Sequence, residues 1–441
     1  MKIEQITIKG FKNLGSTTVK FNNSQITSLI APNNYGKSNF LESLSFVEDF
    51  IKSNSEEKKV MMEYPFAIPI NKYVDDTDFF FQVIFQTEFD GTDYFVDYNF
   101  EFEWRKDKKN AGARIIGEGL KYKENKINAK YSTLIKRNKN LSLYQQSPSG
   151  RCDREISIVP DNLLINKLIY NDELFFHHIL FDIYSLKFSI TNLMEIESAF
   201  GAVMIADAGE IIDDNQLDDG NNISKFLYNL KEKEKDIFEL FVNSLTDLIP
   251  CIEMVEPVEI DFKKMTADKK NDAVPFSLPE KVYDLRVKEA NNNQSTGIRF
   301  VSRGTKRIIL ILASAIEASI RNIDLLAFEE LENSIHPNLF QRLLMILSEI
   351  SPGLQILISS HSPYLVQYLP LDSIYLGLPN KKGLACFYRI RESKRKTILN
   401  LAADEDASLG DFLFDMMLQD NLDEQVISDY FEDCECNRAD D

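Results

Sequence analysis

The chain has 441 residues, and 44% of them are hydrophobic, so it is long enough for two or three domains with buried cores and is not intrinsically disordered. No apolar run approaches the roughly 20 residues that span a bilayer, and the N-terminal residues lack the apolar core of a signal peptide. The five cysteines are few and scattered, which fits free thiols in a reducing compartment. These features predict a cytoplasmic protein that does not act with a membrane.

The net charge of −19 is unevenly distributed along the chain. Residues 401–441 contain 14 Asp and Glu residues and a single Arg, whereas residues 105–140 contain 12 Lys and Arg residues against three acids, a local charge of +9. A basic segment of this kind can bind a polyanion such as DNA even in an acidic protein. The sequence equally allows both segments to be solvated surfaces.

The first predicted elements are three strands, a loop and a helix. Residues 3–8 and 17–21 alternate polar and apolar side chains, and residues 26–30 form an apolar run. The sequence SLIAPNNYGKSN at 28–39 follows, and apolar residues then recur at helical spacing. A tight loop between a strand and a helix is the setting in which backbone N–H groups, a lysine and a hydroxyl bind a triphosphate and its Mg²⁺.

Within this loop, the pattern G-x-x-x-x-G-K-[ST] assigns Lys37 to the β- and γ-phosphates and Ser38 to the metal. Ala31 stands where the pattern has its first glycine, and its Cβ is expected to crowd the turn. A G-K-S sequence also occurs in ordinary loops, so the other motifs of the chain have to decide between the two interpretations.

The middle of the chain changes from strands to helices. Residues 79–89 and 94–104 are aromatic-rich alternating runs joined through Asp90-Gly91, which predicts an antiparallel hairpin. Residues 145–150 have the composition of a linker. The remaining predicted elements are a mainly helical stretch at 160–250 with a loop at 207–222, and strands at 255–262 and 282–287 around a polar segment.

Two adjacent acids follow a strand of buried type. The apolar run at 323–328 ends in Glu329 and Glu330. In a P-loop enzyme, the first acid at such a strand end holds Mg²⁺ through water and the second polarises the attacking water. Glu329 replaces the usual Asp, and two exposed acids at a strand end are the alternative interpretation.

Two further stretches suit a nucleotide site. A second apolar strand at 354–358 leads to His361, whose imidazole can hydrogen-bond a γ-phosphate oxygen or the attacking water. Residues 300–307 carry Ser302 and three basic residues at the start of a long helix that extends to Arg321, which is a potential anion site. An ordinary N-cap formed by Ser302 is the alternative.

These motifs occur in an order that resembles the ABC-type ATPases of the RecF, SMC and overcoming-lysogenization-defect group. The opening IKGFKNL resembles the first strand of such proteins, and APNNYGKSNFLESL resembles their Walker A motif. FVSRGTKRIILILA is similar to their signature motif, LLAFEELENSIHP to their Walker B motif with the D-loop, and ILISSHSPYLV to their H-switch. The resemblance covers roughly residues 1–52 and 295–390, and more weakly residues 78–140 and 220–262.

The resemblance implies an α/β fold, in which an ABC-type P-loop NTPase core with a mixed sheet and flanking helices carries an antiparallel β subdomain and a helical insertion. It implies these nucleotide-binding residues: Lys12, Asn13, Asn33, Asn34, Tyr35, Gly36, Lys37, Ser38 and Asn39. It assigns catalysis to Glu330 and His361, the metal to Ser38 and Glu329, and the D-loop to Glu332 and Asn333. The signature residues Ser302, Gly304, Thr305 and Lys306 would reach the ATP of a second subunit.

The expected arrangement along the chain is an interrupted ATPase core. Its parts are residues 1–52 and 255–391, separated by a β subdomain at 53–150 and a helical insertion at 151–254, and followed by an acidic helical tail at 392–441. ATP and Mg²⁺ would join two copies into a dimer, or into a higher homo-oligomer, and slow hydrolysis would release them. Members of the group with their own nuclease continue into a Toprim domain, and the short tail leaves no room for one.

Three functions follow from this resemblance and stay open on the sequence. The first is an ATPase that senses a trigger and controls a separate nuclease or toxin, as the ATPase subunits of two-gene antiphage systems such as PARIS and Septu do. The second is a RecF- or SMC-like DNA-repair ATPase that binds duplex DNA through residues 105–140. The third is a nucleotide-dependent assembly scaffold with little ATP turnover. It is supported by Ala31 and Glu329, which replace the Gly and Asp that are usual at these positions.

Overall fold

The computed structural model describes residues 1–21, 24–63, 78–105, 113–193, 223–261, 281–333, 335–378, 382–419 and 424–432. The chain forms two compact units. The first unit comprises residues 1–190, 323–327 and those from 355 onward, and the second comprises residues 191–322 and 328–354. The divisions expected near residues 52, 150, 254 and 391 stay predictions.

An eight-stranded antiparallel sheet lies in the first unit, and its strand order is β2-β1-β4-β5-β6-β7-β8-β9. Its strands are β1 (Lys2–Lys9), β2 (Thr17–Lys20), β4 (Phe79–Phe89), β5 (Thr92–Glu103), β6 (Arg114–Glu124), β7 (Ser132–Arg137), β8 (Ser142–Gln145) and β9 (Cys152–Glu155). Alternate residues of β4 and β5 are buried, as a period of two requires when one face of a sheet packs on a core.

Helix α1 (Lys37–Lys52) packs its aromatic side chains against this buried face. The ring centroids of Phe50 and Phe102 lie 4.9 Å apart, and those of Phe46 and Phe79 lie 5.3 Å apart. Aromatic pairs at these distances add to the burial of apolar area. The antiparallel sheet therefore fixes the helix that follows the predicted phosphate-binding loop.

The core sheet is mixed, and its strand order is β10-β14-β15-β3-β16-β17. Its strands are β3 (Ile26–Ile30), β10 (Phe188–Asn192), β14 (Leu325–Glu329), β15 (Gln355–Ser360), β16 (Ile374–Gly377) and β17 (Phe387–Arg389). Strand β3 is parallel to β15 and β16, whereas β17 is antiparallel to β16. Every residue of β3 and β15 is buried, as expected for central parallel strands.

The second unit combines helices with a small antiparallel sheet. The strands β11 (Ile252–Asp261), β12 (Lys281–Glu289) and β13 (Thr296–Gly297) pair in this order. The helices are α5 (Ile223–Lys233), α6 (Lys235–Leu248), α7 (Arg303–Ile320) and α8 (Pro337–Ile350). Helix α7 packs against α5, α6 and α8, and most of its residues are buried.

The other helices belong to the first unit. They are α2 (Ser55–Met61), α3 (Leu164–Leu168), α4 (His177–Tyr184), α9 (Arg395–Asp404), α10 (Leu409–Leu418) and α11 (Glu424–Tyr430). Helix α10 packs against a 3₁₀ turn at Pro363–Gln367. None of the helices in the described part of the chain has the length and apolar character that crossing a membrane requires.

The architecture confirms the predicted fold class, with a mixed core sheet flanked by helices, an antiparallel β sheet and an inserted helical region. The predicted strands at the N-terminus and the hairpin at Asp90-Gly91 are present. The predicted loop at 207–222 and the polar segment at 263–279 lie outside the described residues.

Three expectations are wrong. Residues 145–150 are not a linker, because they lead directly from β8 to its neighbour β9. Residues 188–192, in the stretch expected to be mainly helical, form β10 at the edge of the core sheet. Cys386 is not a free thiol but is disulfide-bonded, whereas Cys152 and Cys251 are free.

Candidate nucleotide site

The loop between β3 and α1 has the backbone of a phosphate-binding turn. Asn34 has φ +60° and Gly36 has φ +126°. A Cβ on Gly36 would lie 2.5 Å from the Cβ of Ala385 and 2.7 Å from the Oδ1 of Asn13, so only glycine fits this position. Helix α1 starts directly afterwards, and its N-terminal N–H groups form the positive end of the helix dipole.

The Lys37 side chain points into the loop that precedes it. Its Nζ donates hydrogen bonds to the carbonyl oxygens of Ala31, at 2.7 Å, and Pro32, at 2.9 Å. Lys37 is only 6% exposed, whereas Asn33, Asn34 and Ser38 are exposed. The loop therefore places a buried ammonium group beneath exposed polar residues, which suits an anionic ligand.

Residues of the N-terminal turn brace the loop from one side. The Nδ2 of Asn13 donates to the Tyr35 carbonyl at 2.8 Å, and the Nδ2 of Asn39 donates to the Oδ1 of Asn13 at 2.7 Å. Lys12, which has φ +52°, forms an ion pair with Glu42 of α1. The structure thus places Lys12 and Asn13 beside the loop that the resemblance assigned them to.

Ala31 fits the loop without backbone strain. It is not among the described residues with positive φ, so the conformational freedom of glycine is not needed at this position. Its side chain faces Gly377 of β16, where an added Cβ would lie 2.5 Å from the Ala31 Cβ and 2.6 Å from the Cε1 of Tyr35. The expected crowding by Ala31 does not occur, because Gly377 provides the space for the methyl group.

Strand β15 places His361 next to the start of this loop. Ser359 and Ser360 pair in register with Leu29 and Ile30 of β3, and the Ala31 N–H donates to the Ser360 carbonyl at 3.1 Å. His361 follows Ser360 directly. The first unit therefore brings together the loop, its two supporting residues and the predicted γ-phosphate sensor.

The signature residues form the N-terminus of α7 in the second unit. The Oγ of Ser302 accepts a hydrogen bond from the Thr305 N–H at 3.1 Å, so Ser302 is the N-cap of the helix. Ser302 is exposed and Gly304 half-buried, whereas the side chains of Thr305 and Lys306 are buried. Phe300, two residues before the cap, is 85% exposed.

The acid turn, defined as residues 329–333, follows β14 in the second unit. Glu330 has φ +51°, a left-handed conformation that is uncommon for a residue other than glycine. The Nδ2 of Asn333 donates to the Oε2 of Glu330, and the Asn333 N–H donates to the Glu330 carbonyl at 3.1 Å. The predicted D-loop residue Asn333 thus holds both the backbone and the carboxylate of the predicted catalytic acid.

The contacts that Arg307 makes with the acid turn were not predicted from the sequence. Arg307 of α7 is 2% exposed, and its guanidinium donates to the carbonyl oxygens of Glu330 and Leu193. Burial lowers the pKa of Arg307 to about 10, and the nearby carboxylates of Glu332 and Glu330 oppose this shift. A charged residue just before the apolar run 308–313 of a buried helix was the signal available in the sequence.

Comparison with known proteins identifies the kind of domain. The family described as AAA ATPase domain matches residues 1–366. No curated protein matches the chain significantly in sequence.

Solved structures with a similar fold have low sequence identity to this chain. The SMC head domain from Thermotoga maritima has 11% identity and a TM-score of 0.41, with 89% of this chain and 100% of that chain covered. An Smc head domain with an extended coiled coil, bound to the C-terminal domain of ScpA from Pyrococcus furiosus, has 13% identity and a TM-score of 0.38, covering 91% and 99%. The recombination mediator RecF has 13% identity and a TM-score of 0.33, covering 87% and 97%.

Proposed function

We propose an ATP-binding and ATP-hydrolysing function for this chain, which belongs to the family of AAA ATPase domains. The observation that carries the proposal is the loop between β3 and α1, where Gly36 is sterically required and the Lys37 ammonium is buried against loop carbonyls. We further propose that two copies bind ATP between them and that this dimer controls a separate effector protein.

The residues of the loop bind the phosphates. The Lys37 ammonium exchanges the carbonyl oxygens of Ala31 and Pro32 for phosphate oxygens, and the N–H groups at the start of α1 add backbone donors. Asn13 and Asn39 hold the loop in this shape through their hydrogen bonds. His361 donates a hydrogen bond to a γ-phosphate oxygen, and the Glu330 carboxylate accepts a proton from the attacking water.

The donor set on the chain suits Mg²⁺. Ser38 and Glu329 offer hard oxygen atoms, which Mg²⁺ prefers, and in the described residues no three His, Cys, Asp or Glu side chains form a metal cluster of their own. This combination is typical of a site in which phosphate oxygens and water complete the coordination shell. When bound, the ion neutralises charge on the β- and γ-phosphates.

The signature residues support a composite site between two copies. A group that reaches the nucleotide of a second copy has to lie on the surface, and Ser302 and Gly304 meet this condition at the start of α7, whereas the Thr305 and Lys306 side chains do not. Exposed Phe300 adds an apolar group for contact with the second copy. On this basis an isolated monomer hydrolyses ATP slowly.

The effector proposal rests on the acidic tail. Helix α10 of the tail packs against the turn Pro363–Gln367, which begins two residues after His361. A basic partner bound to the tail would therefore act close to the proposed γ-phosphate sensor. An antiphage role with a nuclease or toxin as the partner is the specific form of this proposal.

DNA binding through the basic segment receives less support from the contacts. Many of its charges are already paired with carboxylates, namely those of Arg105, Arg114, Lys126, Arg137 and Lys139. Within the described residues, Lys121, Lys130 and Lys136 form no ion pair. If the alternative holds, duplex binding falls steeply with salt and is lost when these three lysines are changed to Glu.

Hydrolysis and dimerisation by wild type and Glu330→Gln test the proposal together. Wild type should release phosphate from Mg-ATP, whereas Glu330→Gln should bind ATP, lose at least about 100-fold in turnover and accumulate as a dimer in light scattering. Equal and negligible turnover in both proteins with an ATP-dependent dimer would favour the scaffold. Absence of nucleotide binding in wild type would refute the ATPase proposal.

The effector proposal needs its own experiment. The product of the neighbouring gene should co-purify with this chain, and a variant with Asp404, Glu405, Asp406, Asp411 and Asp415 changed to Asn or Gln should lose it. A neighbour that neither binds the chain nor alters protection against phage would refute the effector role without affecting the ATPase proposal.

A further inference from the structure

Arg307 connects three separate parts of the second unit. The residue lies on α7, five positions after the N-cap Ser302. One guanidinium nitrogen, Nη1, donates to the Leu193 carbonyl at 3.0 Å, and the other, Nη2, donates to the Glu330 carbonyl. The guanidinium therefore joins the signature helix to the chain that leaves β10 and to the acid turn.

The contact with Glu330 lies at a residue whose backbone conformation is unfavourable. Glu330 has φ +51°, and residues in this region persist only when their surroundings fix them. Its carbonyl oxygen accepts two hydrogen bonds, one from Arg307 and one from the Asn333 N–H. The direction of the Glu330 side chain depends on this backbone geometry.

We propose that Arg307 is a positioning residue for Glu330, which fixes the acid turn from the signature helix so that the carboxylate is aimed for proton transfer. This inference rests on the proposed ATPase function and gives a role to a residue of the signature motif that the resemblance left without one. Arg307 does not touch the substrate in this proposal. It acts only through the backbone of Glu330.

The geometry requires a guanidinium. A planar fork with several N–H donors binds two carbonyl oxygens from different segments at once, whereas a lysine ammonium on a flexible stem concentrates its donors at one point. Lysine at this position keeps the charge and most of the volume but cannot hold both Leu193 and Glu330 in the same directions. Arg307→Lys is therefore the informative variant, and Arg307→Met removes the charge as well.

The position on α7 gives the contact a second consequence. Five residues of helix separate Arg307 from Ser302, a rise of about 7.5 Å along a rigid element. If Ser302 binds the nucleotide of a second copy, a shift of α7 moves the guanidinium and with it the Glu330 backbone. Engagement of the second copy would thereby adjust the catalytic acid.

Steady-state and single-turnover hydrolysis test the assignment. Arg307→Lys should bind a fluorescent ATP analogue within about twofold of wild type, while its kcat falls by about tenfold or more. In the Glu330→Gln background the same change should cause no further loss, because the acid that Arg307 positions is already absent. Arg321→Lys at the other end of α7 is the matched control and should keep wild-type kcat.

Hydrogen exchange provides a readout that does not need activity. Amides of residues 329–333 should exchange faster in Arg307→Lys than in wild type, with α1 unchanged. A kcat within twofold of wild type, losses that multiply in the double variant, or unchanged exchange in the acid turn would each overturn the assignment. If wild type and Lys37→Ala hydrolyse ATP equally poorly, the ATPase proposal fails, whereas the exchange result still decides whether Arg307 fixes the turn.

Discussion

Lys37 and Arg307, one in each unit, are buried cations that both donate to a pair of backbone carbonyls, but the carbonyls differ in origin. Those bound by Lys37 belong to Ala31 and Pro32, six and five residues away in the same loop. Those bound by Arg307 belong to Leu193 and Glu330, which are 114 and 23 residues away. The first contact is local, and the second joins distant segments.

The difference corresponds to the chemistry of the two side chains. An ammonium group on a flexible stem can turn from loop carbonyls to phosphate oxygens without disturbing any other segment. A guanidinium bound to two separate segments cannot leave them without releasing both. Lys37 is therefore suited to bind a ligand, and Arg307 is suited to keep a backbone in place.

Lys37→Ala should produce the largest effect. Loss of the ammonium removes the charge that faces the β- and γ-phosphates, so hydrolysis should fall by at least about 100-fold, equivalent to about 2.7 kcal/mol. The stability of the fold should fall by only about 1 kcal/mol, because the two carbonyls that lose their donor lie in a partly exposed loop where water can replace it. Phosphate release and thermal unfolding measure the two effects.

The control for this change is Lys52→Ala on the same helix. Lys52 pairs with Glu48 on the surface and should be dispensable for hydrolysis. Full activity of Lys37→Ala would exclude the loop as a phosphate site and would leave the two cations with the same structural role.

Gly377→Ala tests whether the shape of the Lys37 loop depends only on contacts within the loop or also on strand β16. The new Cβ would lie 2.5 Å from the Ala31 Cβ and 2.6 Å from the Tyr35 ring, so the variant should lose about 1–3 kcal/mol of stability and bind nucleotide more weakly. Adding Ala31→Gly should recover part of the loss, because it removes one of the two clashes. Urea unfolding and nucleotide titration measure both.

Gly117→Ala on β6 is the matched control, since its nearest neighbours would lie 3.6 Å from the new Cβ. Ala31→Gly alone should be tolerated. If Gly377→Ala matches wild type in stability and affinity, the loop does not depend on β16 and the close approach of the new Cβ to Ala31 and Tyr35 has no consequence.

The two cations also show how far the sequence could predict the site. The loop around Lys37 is encoded within a dozen neighbouring residues, and the strand, turn and helix periodicities there are all local. The hairpin at Asp90-Gly91 was predictable for the same reason. In contrast, the partners of Arg307 are set by tertiary packing, and no spacing rule links residue 307 to residues 193 and 330.

Strand β10 was missed for a related reason. Its five residues follow an apolar helical stretch, and their position is fixed by Asp324, whose carboxylate accepts the Lys187 N–H from 137 residues away. A short edge strand has little periodicity of its own, so its neighbours in the sheet decide its structure. The role of Gly377 was likewise hidden, because the sequence does not show that it faces Ala31.

Asp324 extends the comparison to a buried anion. It precedes β14, its carboxylate accepts the Lys187 N–H at 3.0 Å, and burial raises its pKa to about 6. Since the folded state holds the proton more tightly than the unfolded state, stability falls as pH rises from about 4 to about 6, and the full cost remains above that range. Asp324→Asn, which keeps the acceptor, should therefore be about 1–2 kcal/mol more stable than wild type near pH 7.5.

Urea unfolding of both proteins between about pH 5.5 and pH 8 checks this expectation. The advantage of Asp324→Asn should shrink toward the acidic end of the range. A difference that stays constant with pH would mean that the Asp324 carboxyl does not titrate there. It would also mean that burial affects this anion less than it affects Arg307, whose pKa burial lowers to about 10.

Variants of Ser302 at the N-terminus of α7 have the smallest expected effect on hydrolysis and separate a structural role from a functional one. Its Oγ caps the helix by accepting the Thr305 N–H, so Ser302→Ala should lose about 1 kcal/mol. Ser302→Asp keeps a capping oxygen and should be as stable as wild type, but it places a negative charge where the phosphates of a second copy would bind. Hydrolysis by Ser302→Asp should therefore fall by about tenfold, whereas its unfolding temperature should not change. If this variant hydrolyses ATP at the wild-type rate, Ser302 acts only as a helix cap.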